Sequence, residues 1–294
     1  MARLDPDRLL AARVETQQHY TARDGILYAL GLGIGADAAA TDPAALRHLL
    51  EHDLVPVPTF ATMLAYPGAW YANPDYGLDP TMMVNGAQSL TLHAELPTEA
   101  LVTSLLEVDA LTDKGPGRGA LIHTRRTLWL EEAGSPLATI RQTYFCRGAG
   151  GFGGASTGPE LAPTEMPDRA ADATVLLPTR RDAALLFRLS GDWNLIHASP
   201  DVARTAGFER PILHGLATFG MVAHAVHEFL RGRLITVEAR YSAPVLPGDR
   251  LNCEIWKTPE AAAFRVTNES TGQIALDHGR IVVTHEKQNQ GTMP

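Results

Sequence analysis

Residues 189–215 read LSGDWNLIHASPDVARTAGFERPILHG, which sets a carboxylate, Asp192, and an imidazole, His197, five positions apart. The glycine, asparagine and proline of GDWNLIHASP favour a loop over a regular helix, and a loop can turn both side chains toward one cavity. An ionised carboxylate and an imidazole with an ordinary pKa near ~6.5 can together take a proton from water and return one to carbon at neutral pH. Eighteen residues after His197, Gly215 opens a long apolar helix. The first amides of a helix lack intrahelical partners, the dipole favours negative charge there, and a missing side chain lets a carbonyl oxygen approach. Asp192, His197 and the Gly215 amide therefore suit proton chemistry beside a carbonyl, with backbone amides holding an enolate-like oxygen. Each also has a plainer role open to it: Asp192 as a turn former, His197 as a satisfied core histidine, Gly215 as a close-packing position. Asn194, a candidate for orienting water, is equally suited to an Asx turn.

The loop and the helix need a scaffold. Pro211 precedes LHGLATFGMVAHAVHEFL, apolar on most sides and small at Gly215, Ala217, Gly220 and Ala223, which predicts an interior helix with a sheet wrapped closely around it. RLITVEARYSA, RLNCEIWK, AAFRVTNES and IALDHGRIVVTH follow, with β-branched residues, partial alternation and turn signals at Pro247-Gly248, Pro259 and Thr271-Gly272. The first half repeats the plan: a helix around Thr59 to Tyr71, then SLTLHAEL, ALVTSLLEV, ALIHTRRTLWL and PLATIRQTYF. QSLTLHAELPTEAL, from Gln88, aligns without a gap with EARYSAPVLPGDRL, from Glu238, as expected of a duplicated domain. Between the halves, residues 147–172 are dense in Gly, Pro and small polar residues. The expected architecture is α+β, two antiparallel sheets each wrapped around a central helix, with domains at 1–150 and 172–294 joined by a linker at 151–171.

Composition narrows the function. The 294 residues carry a net charge of −8 with no basic tract, which argues against a nucleic-acid partner. No apolar run reaches the ~18 residues of a membrane span, so no membrane role is expected. Cys146 and Cys253 cannot make a disulfide framework, and both read as buried structural thiols. MARLDPDRLL lacks the apolar core of a signal peptide, so a cytoplasmic setting is expected, and QNQGTMP reads as a disordered tail. LGLGIGAD has G-x-G-x-G spacing without a βαβ pattern, which does not make a dinucleotide site. His224 and His227 lie three apart on the apolar helix, but HAVHEF is not HExxH and the sequence shows no third ligand, so no metal is expected.

SGDWNLIHASP followed by AGFERPILHGL resembles the hydratase 2 motif of the MaoC-like (R)-specific enoyl-CoA hydratases, which have the hotdog fold. YTARDGILYALGLGIGA, VPTFATM, CRGAGGFGG and APVLPGDRL extend the likeness over nearly the whole chain to the two-hotdog hydratase 2 proteins, including the hydratase part of multifunctional enzyme type 2. The resemblance implies a double hotdog with Asp192 and His197 as the catalytic pair. Asn194 would be a polar partner and the Gly215 amide the oxyanion donor to a thioester carbonyl. It implies reversible syn addition of water to a trans-2-enoyl-CoA, giving a (3R)-3-hydroxyacyl-CoA, in fatty-acid or sterol side-chain metabolism. The coenzyme A thioester enters as substrate, with no further cofactor, and the resemblance leans toward a homodimer. Which residue is acid and which base stays open. The first half has no counterpart of the pair, since VPVPTFATML aligned with RPILHGLATF has no glycine-led helix start, so it would shape the acyl pocket. Where the family reads N-P-L-H-x-D-P this chain has Asn194-Leu195-Ile196-His197-Ala198-Ser199-Pro200, losing a loop proline and an acidic residue. Arg180, Arg181, Arg188 and Arg240 flank the motif as candidate contacts for the coenzyme A phosphates, with solvated surface arginines as the alternative. Two other functions remain in view, a hotdog acyl-CoA thioesterase and a non-catalytic acyl-thioester-binding subunit.

Overall fold

Ten strands form one continuous antiparallel sheet in the computed structural model, which describes residues 4–36, 41–131, 134–159, 164–258 and 260–285. The first half contributes β1 (Arg13–Tyr20), β2 (Met83–Leu92), β3 (Ala100–Asp113), β4 (Ala120–Leu130) and β5 (Pro136–Cys146). The second contributes β6 (Ala173–Pro178), β7 (Arg233–Tyr241), β8 (Arg250–Lys257), β9 (Ala261–Asn268) and β10 (Ile274–Thr284). The strand order β1-β3-β4-β5-β2-β7-β10-β9-β8-β6 repeats one five-strand topology twice, the second copy reversed. The halves meet where β2 pairs with β7, Gln88 opposite Ala239 and Ser89 opposite Glu238. These are the segments that align in sequence, Gln88 with Glu238, so a local two-fold axis passes between them. The pairing lets two strands that would otherwise be exposed edges satisfy each other's backbone groups, which merges the two expected sheets into one. This is the double hotdog arrangement.

The long helix, Gly215–Leu230, lies against β7 to β10 and buries Leu216, Phe219, Val222, Val226 and Leu230. Its small residues admit a second helix as well as the sheet. A Cβ on Gly220 would stand 2.6 Å from the Tyr28 hydroxyl and 2.8 Å from Leu32 Cδ2, at the helix Ala22–Gly31 and its C-cap. Tyr28 cannot retreat freely, because its buried hydroxyl donates to Thr59 Oγ1 at 3.0 Å. Gly220→Ala is therefore expected to destabilise the fold by about 1–3 kcal/mol through overpacking. Thermal unfolding checks this, and an unchanged midpoint would show that the contact yields.

The expected helix around Thr59 to Tyr71 does not form. The chain makes a short 3-10 segment, Pro58–Thr62, and an isolated turn, Trp70–Ala72. Arg126, on β4 and buried, explains the break: Nη2 donates to the Thr62 carbonyl and Nη1 to the Leu64 carbonyl, each at 2.6 Å. Carbonyls that a continuing helix would pair are taken by a guanidinium instead. Pro67 and Gly68, the latter at φ 61°, then turn the chain outward.

The glycine-rich stretch after β5 is docked on the first half. The Asp113 carboxylate accepts from the amides of Gly115, Gly151 and Gly153 at 2.7–2.8 Å. Residues 160–163 of the expected linker, Pro259 and the expected tail lie outside the described residues. Cys146 and Cys253 are free and buried, and burial pushes their thiols up to about 11 and about 12. Among the described residues no helix is long and apolar enough to cross a membrane.

Candidate active site

Two successive Asx turns shape the acid/imidazole loop. Gly191 adopts φ 122°, a conformation suited to glycine, and Asp192 Oδ1 then accepts from the Asn194 amide at 3.2 Å. Asn194 Oδ1 in turn accepts from the Ile196 amide at 3.1 Å, capping the 3-10 turn Leu195–His197. This winding leaves Asp192 half-buried and drives the His197 ring inward. His197 Nδ1 donates to the Ile212 carbonyl at 2.9 Å, so the hydrogen-bond partner assigns the proton to Nδ1 and leaves Nε2 with a free lone pair. The Ile212–Leu213 stretch is itself tied down, Leu213 N donating to the Val245 carbonyl at 2.8 Å.

His214 is the site residue that sequence reasoning missed, although it stands immediately before Gly215. It is the N-cap of the long helix, and its ring stacks on His197 with centroids 3.7 Å apart and planes 24° from parallel. Nε2 donates to the main-chain carbonyl of Asp192 at 3.3 Å, which links the loop to the helix start. Burial, then the neighbouring His197, hold His214 well below the usual histidine pKa, so it packs as a neutral ring. Donor atoms of Asp192, His197 and His214 all lie within 4.8 Å of one another. One water between Asp192 and His197 can reach both at ordinary hydrogen-bond length.

Gly215, Asp192, Asn194 and His197 line a cavity of about 440 Å³ whose facing wall, including Tyr66, Tyr71 and Tyr144, comes from the first half. That wall replaces the helix that does not form. Burial, reinforced by the Asp192 charge, keeps all three phenols protonated, with Tyr71 pushed up to about 12. Asn194 lines the cavity together with Tyr71, so it serves the turn and the cavity wall together. At the helix start, His214 makes no side-chain capping bond, and a Cβ on Gly215 would stand 3.0 Å from Tyr241 Cε1. Glycine thus lets the wall close without pressing on Tyr241 and leaves bare backbone lining the cavity.

The four candidate arginines lie outside the lining of this cavity. Arg180 is paired with Asp182 at 2.8 Å, Arg181 is exposed, and Arg240 lies within β7 opposite Ala87 and Asp277. None of them lines the cavity, and nor does Arg188, whose guanidinium lies 4.6 Å over the ring of Trp193, a lining residue. Arg147 does line the cavity and is exposed. It follows β5 directly, in CRGAGGFGG, and sequence proximity to the motif gave no reason to choose it.

The buried His197 has its pKa lowered by desolvation, against the opposing effects of the Asp192 carboxylate and the Ile212 carbonyl. The depressed pKa keeps the imidazole neutral, the form able to accept a proton, as pH falls. We expect kcat/KM for the reaction at this site to stay level from about pH 8 to about pH 6.5, the ordinary histidine value, and to fall only below it. A pH–rate profile checks this, and a decline beginning above pH 7 would contradict it.

Two family models match the chain: the MaoC like domain over residues 162–278 and the MFE-2 hydratase 2 N-terminal domain over residues 18–148. The 3-hydroxyacyl-thioester dehydratase Y of Mycobacterium tuberculosis is 36% identical over an alignment covering 95% of this chain and 98% of that protein. The peroxisomal enoyl-CoA hydratase 2 of Arabidopsis thaliana is 34% identical, covering 85% and 86%. Among solved structures, a MaoC-like dehydratase from Phytophthora capsici superimposes with a TM-score of 0.82 at 25% identity, covering 96% of this chain and 99% of that one. This chain belongs to the MaoC-like dehydratase family, in the form whose first half is a hydratase 2 N-terminal domain.

Proposed function

We propose that this protein is an (R)-specific 2-enoyl-CoA hydratase, working equally as a (3R)-3-hydroxyacyl-CoA dehydratase, with the second half supplying the chemistry and the first half the acyl wall. The observation that carries the reading is the pairing of Asp192 with an imidazole whose Nε2 is free, at the mouth of a helix start that faces the same cavity. The names of the relatives, hydratase and dehydratase, describe the two directions of this one reaction.

In the forward direction a water sits between Asp192 and His197. His197 Nε2 takes one proton as the oxygen bonds to C3, and the C2–C3 π electrons move toward the thioester, whose oxygen gains negative charge beside the Gly215 amide. The imidazolium then returns its proton to C2 on the same face, the carbonyl re-forms, and His197 is neutral again. Asp192 accepts the other water hydrogen and offsets the transient positive charge. One base serving both steps on one face gives syn addition. We place the acyl group against Tyr66, Tyr71 and Tyr144, and the coenzyme A phosphates by Arg147 with Arg188 at the rim. A cytoplasmic homodimer needing no cofactor remains the expected setting.

Loss of the conjugated enoyl-thioester absorbance on adding trans-2-enoyl-CoA of short, medium and long chain, followed alongside free thiol, tests the proposal. Absorbance loss without thiol release is expected. Thiol release would instead make this a thioesterase, and binding with neither signal would make it an acyl-thioester-binding subunit.

A further inference from the structure

A second cluster of metal-type donors lies apart from the catalytic cavity. His224 and Glu228 stand one turn apart on the long helix, so they share a face. Folding brings His48 to the same point, although it is 176 positions from His224 and beyond the reach of spacing arguments. One donor atom from each of the three lies within 4.8 Å of those of the other two. His48 is 3% exposed, and its Nδ1 donates to the Val55 carbonyl at 2.5 Å, which fixes the ring and leaves Nε2 as an acceptor. Carbonyl support of this kind is what orients a ligating imidazole. The two rings meet edge to face with centroids 5.1 Å apart, and His224 Nδ1 is buried without a partner among the described residues. His227, which the spacing had paired with His224, is otherwise engaged: its Nε2 donates to the Gly232 carbonyl at 2.8 Å.

A positive group already bridges two of these acceptors. Arg47 Nε donates to His48 Nε2 at 3.1 Å, and its Nη2 pairs with Glu228. The arginine side chain is 43% exposed, so it can leave for solvent. We propose that His48, His224 and Glu228 form a binding site for a divalent cation of the zinc class, in competition with the Arg47 guanidinium for the same acceptors. Two imidazoles and one carboxylate suit such an ion and are a poor set for magnesium or calcium, which take oxygen ligands. A bound ion would clamp the segment around His48 to the C-terminal half of the helix whose first residue opens the catalytic cavity.

The test is calorimetric titration of Zn²⁺ into the chelator-treated full chain and four variants. One ion per chain is expected, with affinity at least tenfold weaker in His224→Gln and in Glu228→Gln and tighter in Arg47→Ala, where the competing cation is gone. Asp192→Asn separates this site from the catalytic cluster and should leave the affinity unchanged. Arg47→Ala and Glu228→Gln alter partly exposed side chains, so they remain informative if substitution of the half-buried His224 unfolds the chain. Absence of binding in both the wild type and Arg47→Ala overturns the proposal, as does binding that ignores His224→Gln and Glu228→Gln or is lost in Asp192→Asn.

Discussion

Asp192→Asn and His197→Gln should each lower kcat for hydration of a trans-2-enoyl-CoA by about 10²–10⁴-fold, the usual worth of a positioned proton-transfer group. Asparagine can still accept the Asn194 amide bond through Oδ1, so the loop keeps its turn while the carboxylate charge is lost. Glutamine at position 197 can still donate to the Ile212 carbonyl but offers no basic nitrogen. Because the two groups hold one water, their losses should not multiply, and the double variant should be no slower than the slower single variant by more than a few-fold. Steady-state kinetics on the three variants decides the matter. Either single variant with wild-type turnover would remove the assigned chemistry.

Gly215→Ala should cost about 10²–10³-fold in kcat, comparable to removing an oxyanion donor. The added Cβ would lie 3.0 Å from Cε1, 3.4 Å from Cδ1 and 3.5 Å from Cζ of Tyr241, a half-buried ring in the cavity wall. Either the helix start shifts, which misdirects its amides, or the ring moves into the space for the thioester. Tyr241→Ala in the same chain removes the obstruction, so the double variant should recover part of the lost rate. Full activity in Gly215→Ala would show that the helix start does not hold the carbonyl. Loss without recovery would point to a requirement for bare backbone at the oxygen itself.

The parts of this site that were legible in the sequence are those that local chemistry fixes. GDWN encodes two consecutive Asx turns, and Pro211 and Gly215 bracket a helix start, so Asp192, His197 and Gly215 could be placed before any tertiary contact was known. Strand runs around β2 and β7 were likewise readable, and their gapless alignment foreshadowed the two-fold pairing of Gln88 and Ser89 with Ala239 and Glu238. The failed helix near Thr59 shows the limit. Its apolar residues satisfy a helical period, but Arg126, more than fifty positions away on β4, captures the carbonyls and tertiary structure overrides the pattern. Tyr66, Tyr71 and Tyr144 then become cavity wall, a role without a local signature. Proximity in sequence to the motif gave no sign of Arg147, which the end of β5 delivers to the cavity, whereas Arg240 lies within β7 opposite Ala87. His48 is the same lesson outside the cavity lining, since no spacing links it to His224.

One water held between two groups on one face of the substrate is the core of the proposed mechanism, and stereochemistry reads that directly. Hydration of a trans-2-enoyl-CoA in D₂O, with the product resolved at C2 and C3, should give the (3R)-hydroxyl and a single C2 deuterium delivered from the same face. A (3S) product, or deuterium on the opposite or on both faces of C2, would contradict it.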